Sequence, residues 1–182
     1  FPSFTILNKG DYNHELNISI PFSLISLDYV KDELVVMPGY WFMYNFYALA
    51  RNAWKYQDRD KRKNIDQYFE YDYLAPDSVN ELIKGRSVIA IAVAKAQLIK
   101  EKKSTKIEDE KLALLGYKLL TTKTKKEIDQ LDVFVDGFEN SKRKTRLIKC
   151  FDAFTIFEKM IFMYGMDQLI IKLTQNGLKN LH

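Results

Sequence analysis

The pattern of apolar and polar positions changes period once along the chain, at Pro38-Gly39. Before that point come three short β-branched or aromatic runs, FTIL, ISIPFSLISL and ELVVM. Polar turns at Lys9-Gly10-Asp11 and Lys31-Asp32 punctuate them, which is how strands read. Pro21 falls inside the second run. A proline has no N–H to give to a sheet ladder, so that segment is expected at a sheet edge or at a strand start.

From Tyr40 the apolar period is helical. One long helix is predicted over about Tyr40 to Tyr56, running into the charged QDRDKRK segment, with a short helix over Asn64 to Tyr71. Ala75-Pro76-Asp77-Ser78 reads as a helix start, with Asp77 or Ser78 as cap and Glu81 completing a capping box. The helix that follows, about Val79 to Lys102, carries Val79, Leu82, Ile83, Ile89, Ala90, Val93 and Ala96 as an apolar stripe. Gly85 within it marks a close contact or a bend. A helix over Glu108 to Leu120 shows Leu112, Leu115 and Leu119 on one face. Residues 132–151 allow two readings: a hairpin of DVFVDG and KTRLIKCF around the loop GFENSKRK, or a loop passing straight into helix. Two terminal helices, about Leu147 to Tyr164 and Asp167 to Thr174, are expected on either side of Gly165. The fold class is therefore mainly α with a small N-terminal β segment. Residues 1–38 form the strand-bearing part and residues 39–182 a helical, bundle-like domain.

The stretch from Gly39 to Lys63 is dense in rings and then in cations. Drawn as one helix, Phe42, Met43, Phe46, Tyr47, Leu49, Ala50, Ala53 and Trp54 cover an arc of roughly 160°, the mark of a central core element. Arg51, Lys55, Asp58 and Arg62 fall on the opposite side, with Asn45 and Asn52 beside them. Arg51 has Tyr47, Ala48, Trp54 and Lys55 as its neighbours three and four residues away, none of them acidic. A guanidinium among rings is expected to be partly buried, and a buried charge requires a partner. Two sources are open: a distant carboxylate, or a ligand or partner bearing carboxylate or phosphate, both of which suit arginine's planar fork. Arg51, Lys55, Arg62, Asn45 and Asn52 are thus the anion-binding candidates. A second basic cluster, Lys142, Arg143, Lys144 and Arg146, is either a solvated loop or a phosphate contact.

Composition narrows the class. Apolar residues make up 47% and charged residues 29%, enough for a real core, and the net charge of +4 is too small to argue for nucleic acid as the partner. A single cysteine, Cys150, rules out an internal disulfide and favours a reducing, cytoplasmic setting. Its apolar-periodic surroundings point to a buried, inert thiol. The longest uncharged run, Leu34 to Ala50, is 17 residues and is interrupted by Pro38, Gly39 and Asn45, so no membrane span is predicted. His14 with Asp11 and Glu15 is too sparse for a metal, since a zinc site needs three or four ligands. Neither a Gly-rich phosphate loop nor a nucleophile elbow is present, so no cofactor is expected and no catalytic residue can be named.

The strings PFSLIS (Pro21–Ser26), MPGYWFMYNFYALARNAWKYQDRDKR (Met37–Arg62) and DGFENSKRK (Asp136–Lys144) resemble a group of large bacterial proteins without an assigned reaction. In that group a left-handed β-helix of hexapeptide repeats, acyltransferase-like, precedes a mostly helical region. The resemblance implies that this chain is the region beyond such a β-helix and that its first strands pack against it. It carries no catalytic assignment, and this chain contains no run of hexapeptides. The expected role is an accessory region that helps bind an anionic substrate, such as a nucleotide-sugar, or that supports assembly. The alternative is a protein–protein interaction or oligomerisation module with no catalytic role, including a homo-oligomer; a third reading is nucleic-acid binding through the basic residues of 59–63 and 142–149.

Overall fold

A computed structural model describes residues 1–62 and 70–175. The chain runs β1 (Ile6–Leu7), β2 (Leu24–Asp28), β3 (Glu33–Met37), α1 (Tyr40–Tyr44), α2 (Phe46–Arg59), α3 (Pro76–Lys100), α4 (Asp109–Thr122), α5 (Lys125–Asp129), β4 (Phe134–Val135), β5 (Lys144–Leu147) and α6 (Cys150–Gln175). The protein is mainly α, with one small mixed sheet. The helix expected over Asn64 to Tyr71 lies for the most part outside the described residues.

The sheet order is β1-β2-β3-β5-β4. β2 and β3 form an antiparallel hairpin with Ile25 opposite Val36. Its turn is held by the Asp28 carboxylate, which accepts from the Val30 and Lys31 N–H groups at 3.0 and 3.1 Å. β3 then pairs in parallel with β5, and β5 pairs antiparallel with β4. Of the two readings for residues 132–151, the hairpin is the observed one, and helix begins at Cys150. The N-terminal strands therefore share their sheet with strands that lie more than a hundred residues later in the sequence.

The run ISIPFSLISL is a strand only from Leu24. Pro21 has no N–H to give and Phe22 adopts a positive φ of 55°, so the ladder cannot start earlier. The segment before it is core instead: Ile20, Pro21 and Phe22 are completely enclosed. Phe22 stacks on Phe4 with 4.8 Å between ring centroids and tilts against Phe42 at 4.3 Å. Phe42 in turn meets the edge of Phe157 on α6 at 6.4 Å.

Helices α3, α4 and α6 supply the rest of the core. α3 is buried along most of its length, including Leu82, Ile89 and Val93. Gly85 sits where a Cβ would meet the Pro21 ring at 3.2 Å and Phe157 at 3.3 Å, so it is a close contact and not a bend. Gly116 makes the tightest approach: a Cβ there would lie 1.9 Å from the Ala90 carbonyl oxygen, so the backbones of α3 and α4 touch. The start of α3 differs from expectation by one cap. Ser78 Oγ accepts from the Ala75 N–H at 2.9 Å and donates to the Tyr73 carbonyl. Glu81, free of the capping box, accepts from the Ser3 N–H at 2.7 Å and ties down the N-terminus.

Two helix predictions are corrected. The helix drawn from Tyr40 to Tyr56 is broken at Asn45, whose φ of −139° is non-helical. That restart rotates everything after it, so only Phe42 and Leu49 of the presumed apolar arc are buried. Phe46, Tyr47 and Trp54 stand 40%, 76% and 62% exposed, and α2 lies on the surface, not at the centre. In the other direction, the two terminal helices are one. α6 runs through Gly165 without a break, because a single glycine costs only about 1 kcal/mol in a helix interior.

Candidate functional site

The five anion-binding candidates do not converge. Arg51 is exposed, contrary to the expected partial burial; its guanidinium carbon lies 5.8 Å from the Tyr47 ring centroid, and it has no carboxylate partner among the described residues. Tyr47 and Trp54, the rings beside it on α2, are themselves exposed, so they do not enclose the guanidinium. Lys55 is half-buried and makes no ion pair among the described residues. Arg62 lies beyond the end of α2, where its Nε donates to Asp60 at 2.7 Å and its Nη2 to the Tyr71 hydroxyl at 2.9 Å. The bond from Arg62, and a second donated by the Tyr71 hydroxyl, hold the Asp60 carboxyl well below the usual range. Asn45 is the break between α1 and α2, and Asn52 lines a cavity beside α2.

The second basic cluster is internal wiring. Glu139 has a fully buried side chain and takes a two-pronged contact from Arg143, Nε to Oε2 at 2.8 Å and Nη2 to Oε1 at 2.6 Å. Those bonds lower its pKa against the opposing effect of burial. Arg146, on β5, donates from Nε to Glu33 on β3 at 2.7 Å and from Nη1 to Asp132 at 2.6 Å, while its guanidinium covers the Phe134 ring at 4.5 Å. Lys144 Nζ lies 5.4 Å from the same ring. Lys142 is exposed. With both arginines committed to carboxylates, little of this cluster's charge is left for a phosphate.

The arginine that is embedded among rings is Arg86 on α3. Its guanidinium carbon lies 4.1 Å from the Phe154 centroid and 5.6 Å from that of Tyr117, and its counter-charge is Glu158 on α6 at 3.2 Å. Its Nε is buried without an acceptor among the described residues. Cys150 is buried, and burial pushes its thiol pKa up to about 12, so it is not a thiolate nucleophile at neutral pH. His14 is exposed, and among the described residues no three His, Cys, Asp or Glu side chains are grouped to hold a metal. No helix among them is long and apolar enough to cross a membrane.

Two surfaces stand out. Between α2 and the segment leading into α3 is a pocket of about 250 Å³ walled by Phe4, Trp41, Leu49, Tyr56, Tyr71 and Tyr73, with Glu70 and Asp72 also in its lining. Its charged lining residues are acids, the opposite of an anion site. The alternation Glu70-Tyr71-Asp72-Tyr73 was its sequence signal, but Phe4 and Trp41 join it only through the fold. The second surface is the distal half of α6, where Phe162, Met166, Leu169 and Leu173 are 42–69% exposed. Their spacing of four, three and four residues sets them in one row along the helix.

The chain is 29% identical over 170 residues to an uncharacterized protein of Treponema pallidum (strain Nichols). The match covers 93% of this chain and 22% of that protein, so the chain spans about a fifth of the length of its relative. No family model and no solved structure matches.

Proposed function

We propose that the chain is an assembly module of a longer polypeptide, and that the distal half of α6 is the surface through which it docks on the remainder. The observation that carries this reading is the apolar row Phe162, Met166, Leu169 and Leu173. It is a heptad-like seam with Ile170 beside it at 56% exposure, and nothing in the described chain covers it. A cavity of about 340 Å³ on the neighbouring side of α6 adjoins this row, lined by Leu74, Met163, Ile170 and Ile171 together with Asp72 and Asp167. The choice of occupant rests on length. The matched region is 22% of the relative, which leaves most of such a polypeptide to supply the covering segment. The upstream hexapeptide β-helix suggested by the sequence resemblance is the segment nominated.

The anionic-substrate reading has less support. Arg51 is in solvent, Arg62 is bound to Asp60, and neither lines the cavities described here. A rise in Tm with a nucleotide-sugar that is lost in Arg51→Ala would restore it.

Thiol labelling tests the docking surface. Cys150 is buried, so a Leu169→Cys variant has one reactive thiol. It should label quickly in the 182-residue chain and about tenfold or more slowly within the longer polypeptide. Equal rates overturn the proposal. So does protection in the short chain that grows with concentration, because the occupant is then a second copy.

A further inference from the structure

The aromatic pocket beside α2 shares Asp72 and Tyr73 with the cavity beside α6 but has a chemistry of its own. Five of its wall residues are aromatic: Phe4, Trp41, Tyr56, Tyr71 and Tyr73. Ring faces carry negative potential, and a cation within about 6 Å of a centroid is attracted to them. The rings are held in place. Tyr56 and Tyr71 stack at 6.4 Å and 29°, Phe4 meets Trp41 edge-on at 6.5 Å, and the Tyr71 hydroxyl is anchored by Asp60 and Arg62. The acidic side chains of the lining are Glu70 and Asp72, and no basic residue among the described ones accompanies them there. Burial, Glu70 and Asp167 together raise the pKa of Asp72, the sign of negative charge crowded at this rim. The Trp41 indole N–H is buried without an acceptor among the described residues. An oxygen carried beside the cationic group would supply one.

We propose that this pocket binds a small organic cation, a methylated ammonium head group, between the rings of Trp41, Tyr56 and Tyr73 and against the carboxylates of Glu70 and Asp72. Size limits the ligand. At about 250 Å³ the pocket falls below the ~300–1,000 Å³ of sites for drug-sized molecules, so it takes a head group and not a whole nucleotide cofactor. Charge selects among head groups, because a phosphate next to the ammonium would face the same two carboxylates.

Tryptophan fluorescence provides the test. The chain has two tryptophans, and Trp54 is exposed, so Trp54→Phe leaves Trp41 in the pocket wall as the reporter. The full chain is titrated with choline, with phosphocholine and with 3,3-dimethylbutanol, the uncharged carbon analogue of choline. Choline should change the Trp41 signal saturably, and the uncharged analogue should bind about tenfold more weakly. Phosphocholine should bind more weakly than choline. Tyr56→Leu, at a position 68% exposed, and Asp72→Asn should each weaken choline binding by about three- to tenfold with Tm unchanged. No saturable signal with choline, equal binding of the uncharged analogue, or full binding by both variants overturns the proposal. Phosphocholine binding as tight as choline overturns the role given to the carboxylates.

Discussion

Arg51 and Arg86 belong to two different regions of the molecule, and the contrast between them describes how the protein is built. Arg86 stands in the base formed by α3, α4, α6 and the sheet, where rings of α4 and α6 close over it and Glu158 answers its charge. Arg51 stands on the arm formed by α2, beside one exposed tyrosine. Both have aromatic neighbours, and neither has an acid within one helical turn. What separates them is whether other elements pack over their helix. Rings brought by other helices enclose a cation, as Tyr117 and Phe154 do for Arg86, whereas a ring on the cation's own helix leaves it in solvent.

The base should respond to small changes that the arm tolerates. The largest effect is expected at the α3–α4 crossing: Gly116→Ala forces two backbones apart and should cost about 3 kcal/mol, read as a lowered urea midpoint. A cost under about 1 kcal/mol would mean the helices slide freely.

Next comes the Glu139–Arg143 pair in the loop between β4 and β5. Glu139→Gln should cost about 2 kcal/mol at neutral pH, since it removes the charge from a doubly hydrogen-bonded contact to Arg143. The pH dependence has a definite sign. The folded Glu139 carboxyl releases its proton more readily than the unfolded one, so its stabilisation is complete above about pH 4.3 and is lost as pH falls through the folded value. Wild type and variant should therefore converge in acid; an unchanged gap at about pH 3 contradicts this. The smallest effects sharpen the contrast itself. Arg86→Ala should cost about 1.5 kcal/mol by thermal melting, and Arg51→Ala should stay within about 0.5 kcal/mol. Equal costs would dissolve the distinction between base and arm.

Much of the base was legible from local pattern. The run ELVVM, the second half of ISIPFSLISL, the leucines of α4 and the stripe of α3, apart from the exposed Ile83, each show in local periodicity. The hairpin of β4 and β5 was visible as one of two readings. What was not legible depended on single residues with non-local consequences. Asn45 is a mild helix residue, yet its break turned the aromatic face outward. Gly165 looked like a helix end but meets no neighbour and interrupts nothing. The partners of Arg143 and Arg146 include Glu33, 113 residues away from Arg146, and no wheel or window contains both. The candidate site failed because the rings beside Arg51, Tyr47 and Trp54, are themselves exposed, and a local window does not show what packs over a helix. The aromatic pocket was not read from the sequence: its acidic and tyrosine members are contiguous, but Phe4 and Trp41 reach it only through the fold.

The unbroken run of α6 has a mechanical consequence. Its 26 residues span about 39 Å at 1.5 Å per residue, one end clamped through Phe154 and Phe157 and the other projecting like a cantilever. Whatever grips the free end also fixes the direction in which the clamped end points. A joint of this kind sets the angle between two bodies as well as their attachment, and lengthening or shortening the rod by a single residue would rotate one body against the other by about 100°.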